Sequence, residues 1–250
     1  MNVLGIIPAR YGSSRLPGKP LIKVKGKTII QRVYERAVMS DVLYKVVVAT
    51  DDVRIYNHVR KFGGEAIMTK QVHCSGTMRC GEVIESIPDA DIIINIQGDE
   101  PLINPGEISR LGRFLLEDSE RQIGTLVKRI DSQEDIENPS VAKVVMDLYH
   151  RVLYFSRSAI PHVRNHPMEL WLDHAVYYKH IGLYGYTRKT LQNLSRLDPS
   201  NLEEAELLEQ LNWLYHGYVV HALETDIESI GIDTPEDVRL LEHILSLADK

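Results

Sequence analysis

A chain of 250 residues with 44% hydrophobic and 26% charged residues has the balance of a folded domain able to bury a sizeable core. Its formal net charge of −6 argues against a general nucleic-acid or membrane-surface binder, and Cys74 and Cys80, its two cysteines, form no C-x-x-C pair that would suggest a disulfide scaffold or zinc site. No stretch approaches the length of a membrane span, and the N-terminal apolar run is short and broken by Pro8 and Arg10, so a cytoplasmic protein without a signal peptide is expected.

Val3-Leu4-Gly5-Ile6-Ile7 reads as a buried first strand. It opens into Pro8-Ala9-Arg10-Tyr11-Gly12-Ser13-Ser14-Arg15-Leu16-Pro17-Gly18-Lys19-Pro20. Gly12 and Gly18 allow close backbone approach to a ligand, and the N–H groups of such a loop can form a nest for phosphate oxygens. Arg10, Arg15 and Lys19 add positive charge, the arginines as planar forks suited to phosphate. The spacing is neither Walker A nor G-x-G-x-x-G. On composition alone, a phosphate loop and an ordinary basic surface loop are equally good readings.

A helix is expected from about Thr28, with Ile29, Ile30, Val33, Ala37 and Val38 at helical spacing. Val46 to Ala49 is fully apolar, as in a strand covered on both faces. Asp51-Asp52 starts a helix reaching about Phe62, Gly63-Gly64 stops it, and Glu65 to Met68 returns as a strand. This alternation predicts a doubly wound sheet. Ser75 is an N-cap for a helix through Val83 and Ile84. Asp91 to Ile96 is the next buried strand and delivers Gln97-Gly98-Asp99 at its carboxyl end, where ligands bind in open α/β sheets. Asn104-Pro105-Gly106-Glu107 resembles a capping box for a helix to about Leu116.

From Ile123 the pattern changes. Strand-like segments at Ile123–Ile130, Val141–Met146 and Val152–Phe155 have fewer helices between them, which predicts a mixed or antiparallel extension. Pro161 to Asp173 is polar and is expected to be a mobile loop. A strand over Ile181–Tyr186, a helix over Leu202–Leu214 striped by Ala205, Leu208 and Leu211, a strand over Tyr218–Leu223 and a helix from Thr234-Pro235 complete the chain. With no repeat or linker, residues 1–250 read as one α/β domain in which residues about 123–225 form a lobe.

Asp99, at a strand end beside a cationic loop, suits a phosphate-bound Mg²⁺, although a turn aspartate is the commoner explanation of such a pattern. Asp233 precedes Thr234, a good N-cap, and Pro235, so a helix start alone accounts for it. Ser75, Gly76 and Thr77 can cap a helix and nothing more, and Arg79 can be an exposed residue of its first turns. His180 on a strand is more often structural than a ligand, and Glu209 and Gln210 fit the solvated face of a helix.

The loop from Pro8 to Pro20 closely resembles the nucleotide-binding signature of the bacterial sugar-acid cytidylyltransferases, on the 3-deoxy-manno-octulosonate (Kdo) branch. It differs from the G-x-G-x-R-M loop of isoprenoid-pathway cytidylyltransferases and lacks the K-x-x-P-x-K-N ending of the sialic-acid enzymes. His73-Cys74-Ser75-Gly76-Thr77, Asn95-Ile96-Gln97-Gly98-Asp99-Glu100-Pro101, Tyr154-Phe155-Ser156-Arg157, His180-Ile181-Gly182-Leu183-Tyr184, Leu208-Glu209-Gln210-Leu211 and Asp233-Thr234-Pro235-Glu236-Asp237 follow in family order over nearly the whole chain. The resemblance implies a Rossmann-like, GT-A-like nucleotidyltransferase sheet, mostly parallel, with a mixed-sheet lobe for sugar binding and dimerisation. It implies transfer of CMP from CTP to a 3-deoxy-2-keto sugar acid, releasing pyrophosphate and serving lipopolysaccharide synthesis. By the same resemblance, Asp99 and Asp233 hold Mg²⁺ and act in catalysis with Lys19 and Arg10. Pro8, Ala9, Arg10, Ser13, Arg15, Lys19, Ser75, Gly76, Thr77, Arg79 and Gln97 meet the nucleotide. Gln97, Arg157, His180, Tyr184, Glu209 and Gln210 meet the sugar, and a homodimer is expected. Two alternatives stay open: an 8-amino or other ulosonic acid as acceptor, and a homologue that binds CTP or a CMP-sugar without turnover.

One position departs from the family pattern. Met78 stands where relatives usually carry an acid between threonine and arginine, and a thioether neither pairs with a cation nor accepts a strong hydrogen bond. The expectation is intact nucleotide binding with reduced turnover, so Met78→Asp should raise kcat for pyrophosphate release; unchanged kinetics would make the position irrelevant to chemistry.

Overall fold

The computed structural model describes residues 1–12, 16–71, 73, 75–228 and 230–248. Strand β1 (Val3–Ala9) leads through the basic loop to a hairpin of β2 (Lys23–Val24) and β3 (Lys27–Thr28), then α1 (Ile29–Ala37), β4 (Leu43–Thr50), α2 (Val53–Lys61) and β5 (Ala66–Met68). Next come α3 (Gly76–Glu85), β6 (Ile92–Asn95) and α4 (Pro105–Leu116). The second half holds β7 (Ile123–Arg129), α5 (Gln133–Glu137), β8 (Lys143–Met146), β9 (Val152–Ser156), α6 (Trp171–His174) and β10 (Tyr178–Thr187). It ends with α7 (Arg188–Leu194), α8 (Asn201–Glu206), α9 (Gln210–Tyr215), β11 (Val220–Glu224) and α10 (Pro235–Ala248).

The sheet order is β11-β7-β10-β6-β1-β4-β5, with β8 and β9 attached at the far end of β10. β6, β1, β4 and β5 are parallel, as the alternating pattern predicts. β10 runs antiparallel to β6, β7 and β8, which makes the expected mixed lobe. Alternate residues of β1 explain its unbroken apolar run. Leu4 and Ile6 pack with α3 and α7 through Cys80, Val83, Ile84, Leu191 and Leu194. Val3 and Ile7 pack on the other face with α1, α2 and α4 through Ile30, Val33, Ile55, Val59 and Ile108. A separate cluster of Val24, Ile29, Ile232 and Leu241 docks α10 on the β2–β3 hairpin. That contact carries the end of the chain back to its beginning.

Local signals place the helix starts. Thr28, Asp52, Ser75 and Asn104 each accept a backbone N–H as N-caps of α1, α2, α3 and α4. The capping box at Asn104 is only half made: Asn104 caps Gly106, while Glu107 pairs with Arg110. The stretch Pro161–Asp173 is not an unstructured loop. It contains a helical turn over Met168–Leu170 and the start of α6, with Trp171 buried in a cluster with Ile130, Ile136 and Tyr177. The single helix expected over Leu202–Leu214 is two, because Leu207 adopts the left-handed region with φ 51°. Arg157 accounts for the break: its guanidinium donates to the carbonyl oxygens of Glu206 at 2.6 Å and Leu207 at 3.3 Å.

Gly81 lies inside α3, where alanine is the better helix former by about 1 kcal/mol. An added Cβ would however meet Ser195, at the end of α7, at 2.5 Å from Cβ and 2.6 Å from Oγ. Close packing of α3 on α7 therefore outweighs propensity. Gly81→Ala should destabilise the fold by about 1–3 kcal/mol, read as a lower urea midpoint at unchanged slope. Adding Ser195→Gly should recover most of the loss. A midpoint at or above the original would show that α3 and α7 separate without cost.

Candidate active site

The chain leaves β1 toward β4 and β5, then returns to β6 on the other side of β1. The carboxyl ends of the strands at this reversal frame an open cleft of about 350 Å³. Pro8, Ala9, Arg10 and Lys19 line it from the β1 loop, His73, Ser75, Gly76 and Arg79 from the start of α3, Gln97, Gly98 and Asp99 from the end of β6, and Asp233 from the approach to α10. Gly98 is required by the crossing itself: a Cβ there would sit 2.6 Å from the Pro8 carbonyl oxygen. The basic loop is pinned at its base by a bond from Gly18 N–H to Tyr11 O at 3.0 Å. Gly18 takes φ +70° with the Tyr11 ring packed against it, and Arg54 stacks over that ring at 3.3 Å.

Lys19 Nζ lies 2.6 Å from Asp99 Oδ2 and 3.0 Å from Asp233 Oδ1. Two carboxylates distant in sequence thus converge on one cation. Backbone bonds fix both arms, since Ile232 N–H donates to Asp99 O at 2.9 Å. Thr234 Oγ1 accepts from Asp237 N–H, while Asp237 Oδ2 accepts from the N–H groups of Asp233 and Thr234. Asp233 therefore is part of a helix start and also faces the cleft. No group of three His, Cys, Asp or Glu side chains positioned for a metal occurs among the described residues. The two carboxylates fit a hard divalent ion that takes its other ligands from phosphate and water.

Arg79 is buried rather than exposed. Its guanidinium donates to Thr69 Oγ1 and Lys70 O, and lies 3.4 Å from Asp51 Oδ2. His73 Nε2 is paired with Glu82, whose carboxyl burial would raise; the His73 and Lys70 N–H bonds outweigh that and hold it below its usual range.

Beside the cleft, β10 forms an aromatic recess. His180 packs edge-on to Phe155 with centroids 5.4 Å apart and lies 5.0 Å from Tyr184, which meets Trp213 edge-on at 4.9 Å. Burial pushes the His180 imidazole down to about 3, so it is neutral at pH 7. The Tyr184 hydroxyl is buried and has no hydrogen-bond partner among the described residues. Burial pushes the Glu209 carboxyl up, partly opposed by the hydroxyls of Ser75 and Thr77. Gln97 joins recess to cleft by donating its amide N–H to Gly182 O at 3.0 Å.

This arrangement lies within a chain whose residues 4–230 match the cytidylyltransferase family model. A 3-deoxy-manno-octulosonate cytidylyltransferase from Parabacteroides distasonis is 49% identical over 243 residues, covering 95% of this chain and 96% of that protein. One from Cytophaga hutchinsonii is 45% identical over 248 residues, 98% of each. A solved CMP:2-keto-3-deoxy-manno-octonic acid synthetase complexed with CTP is 42% identical, with a TM-score of 0.92 over 99% of this chain and 100% of that one. The chain belongs to the 3-deoxy-manno-octulosonate cytidylyltransferase family. It has the nucleotidyltransferase fold and is a nucleotidyltransferase enzyme.

The structure of this cytidylyltransferase-family chain brings Pro8, Ala9, Arg10, Lys19, Ser75, Gly76, Arg79, Gln97, Asp99 and Asp233 together around one cleft. Ser13 and Arg15 lie outside the described residues. Thr77 is buried, 3.4 Å from the Tyr186 hydroxyl and facing Glu209. His180, Tyr184 and Glu209 gather in the recess. Gln210 is buried at the start of α9, and Arg157 is engaged by backbone carbonyls of Pro139, Glu206 and Leu207. Asp51, the partner of Arg79, belongs to no motif that marks it in the sequence. Asp52 is the cap of α2, and this leaves Asp51 to pair with Arg79 behind the cleft wall. Arg79 is thus oriented by Asp51, Thr69 and Lys70, and an acid at position 78 is not needed for that purpose. His73 and Glu82 were missed as a pair, although both flank the Ser75–Arg79 motif.

The His180 shift carries a stability signature. An unfolded imidazole titrates near 6.5 and the folded one near about 3, so the unfolded chain binds more protons between these values. The contribution is complete above about pH 6.5 and is lost as pH falls toward about 3. His180→Gln should flatten this limb of unfolding free energy against pH, while His58 and His221, also pushed down by burial, and depressed carboxyls such as Glu82 still contribute to it. An unflattened limb in His180→Gln would locate the effect elsewhere.

Proposed function

We propose that this protein transfers CMP from CTP to 3-deoxy-manno-octulosonate, giving CMP-Kdo and pyrophosphate. The observation that carries the reading is the meeting of Lys19, Asp99 and Asp233 beside the loop that leaves β1. Arg10 and Lys19 bind the β- and γ-phosphates and stabilise the departing pyrophosphate, joined by Ser13 and Arg15 as the family resemblance implies. Ser75, Gly76 and Arg79 form the nucleotide wall, together with Pro8 and Ala9 of the β1 end. The anomeric hydroxyl oxygen attacks the α-phosphorus in line, the bond to the pyrophosphate oxygen breaks, and the hydroxyl proton passes to solvent water. Asp99 and Asp233 would hold Mg²⁺, which supplies charge neutralisation at the phosphates and acidifies an acceptor hydroxyl. Lys19 occupies that position between the carboxylates here, so nucleotide phosphates entering the cleft offer its ammonium an alternative partner.

Gln97, His180, Tyr184, Glu209 and Gln210 form the acceptor side of this reading. Arg157 contributes to it by holding the break that starts α9 and so placing Glu209. The lobe exposes Leu148, Tyr149, Leu153 and Val176, an apolar face consistent with a homodimer. No helix among the described residues is long and apolar enough to cross a membrane. The reading implies a cytoplasmic enzyme supplying an activated sugar for lipopolysaccharide synthesis.

Pyrophosphate release from CTP with Mg²⁺ and Kdo tests the reading. EDTA should abolish it, and Asp99→Ala should lower kcat at least about a hundredfold. Release only with 8-amino-3,8-dideoxy-octulosonate would keep the chemistry and change the acceptor; tight CTP binding without release from either would replace it with a binding function.

A further inference from the structure

β10 does not run evenly past β7. Ile181 pairs with Leu126 and Tyr184 with Thr125, so Gly182 and Leu183 are extra residues that bulge from the ladder beside the recess. Thr125 is fully buried and directs its hydroxyl into this bulge. Its Oγ1 lies 3.0 Å from Leu183 O, 3.3 Å from Ile181 O and 3.0 Å from His180 Nε2. On the opposite side the Gln97 amide holds Gly182 O at 3.0 Å. The bulge is thus clamped from both sides, by a residue of the cleft and by one that touches no part of it.

The hydrogen count of this cluster is restrictive. A threonine hydroxyl has one hydrogen, and both carbonyl oxygens can only accept. Donation of that hydrogen to Leu183 O, 3.0 Å away, leaves a lone pair of Oγ1 facing Nε2, an arrangement completed when Nε2 carries the hydrogen between them. The ring's other nitrogen, Nδ1, then bears the lone pair in the neutral imidazole. Among the described residues no hydrogen bond reaches Nδ1, and His180 retains partial access to solvent. Such a group accepts a hydrogen bond and offers no positive charge.

Building on the proposed acceptor site, we propose that Thr125 is a positioning residue. It locks the β10 bulge and holds His180 as the Nε2–H tautomer, so that Nδ1 accepts a hydrogen bond from a hydroxyl of the sugar acid and does not pair with its carboxylate. Burial of the imidazole, which pushes it down to about 3, acts in the same direction. Specificity at this point is for a donor on the acceptor sugar, fixed by a residue outside the pocket wall.

The experiment compares Thr125→Val and Thr125→Ser with the unmodified protein. Valine keeps the shape and removes the hydroxyl, while serine keeps the hydroxyl. Thr125→Val should raise KM for Kdo about tenfold, the size of one well-placed hydrogen bond, with KM for CTP unchanged. Thr125→Ser should stay within about twofold of the original. Correlation spectra of ¹⁵N-histidine-labelled protein should show His180 protonated at Nε2 and bare at Nδ1 at neutral pH, and a mixture of tautomers in Thr125→Val. An unchanged KM for Kdo in a folded Thr125→Val, or equal loss for both substrates, overturns the proposal. An imidazolium or an Nδ1–H tautomer in the unmodified protein overturns it too, even where Thr125→Val does not fold. The spectra need no substrate, so failure of the unmodified protein to use Kdo would remove the functional reading separately.

Discussion

Two carboxylates share one ammonium at the mouth of the parallel sheet, and the architecture around them serves that meeting. Partly buried like charges repel unless a cation lies between them. Lys19 supplies it at 2.6 Å and 3.0 Å, but only because three distant segments arrive together. The first is the loop leaving β1, closed at Gly18 and Tyr11. The second leaves β6 at Gly98, where the absence of a Cβ lets the chain pass the Pro8 carbonyl. The third is the start of α10, delivered by the packing of Ile232 and Leu241 against Val24 and Ile29. The hydrogen bond from Ile232 to Asp99 joins the second and third directly. Hydrophobic docking at the end of the chain is therefore a condition for the electrostatics at its beginning.

A second organisation extends from the first through β10. This long strand is antiparallel to both β6 and β7, so it connects the nucleotide half of the sheet to the lobe. Its bulge at Gly182 and Leu183 changes the local register, and the residues on either side contribute His180 and Tyr184 to the recess. Gln97 bridges the two regions through Gly182, while Ser75 and Thr77 reach Glu209 from the start of α3. One helix terminus thus lines the cleft through Ser75 and Gly76 and reaches the recess through the hydroxyls of Ser75 and Thr77. Motion of β10 relative to β6 would disturb both at once, which gives a physical reason for building the acceptor side on strands.

Arginines illustrate how burial separates support from contact. Arg79 and Arg157 carry the same charge and both stand in family motifs, but neither is a free surface group. Arg79 is held in the cleft wall by Asp51, Thr69 and Lys70, so its position is set before a ligand enters. Arg157 uses its fork on backbone carbonyls where α8 stops, satisfying acceptors that a continuous helix would have used internally. The consequence is the placement of Glu209 at the beginning of α9 rather than midway along a longer helix.

The sequence by itself determined the apolar strands, the helix starts at Asp51-Asp52, Ser75 and Asn104, the parallel character of the first half, the mixed lobe and the candidate phosphate loop. These follow from periodicity, glycine placement and side chains that bond their own neighbouring backbone. It also named Asp99 and Asp233, although local pattern explained each as a turn or helix start and only resemblance raised them further. Tertiary structure alone decided that Asp51 turns to Arg79, that His180 is neutral beside Thr125, that Trp171 makes a packed unit of an expected loop, and that the helix over Leu202–Leu214 breaks at Leu207. Each outcome depends on a partner far away in the chain that supplies a charge, an acceptor or an apolar surface. Periodicity records which face of an element is buried, whereas the identity of the group it is buried against is fixed only when the elements pack.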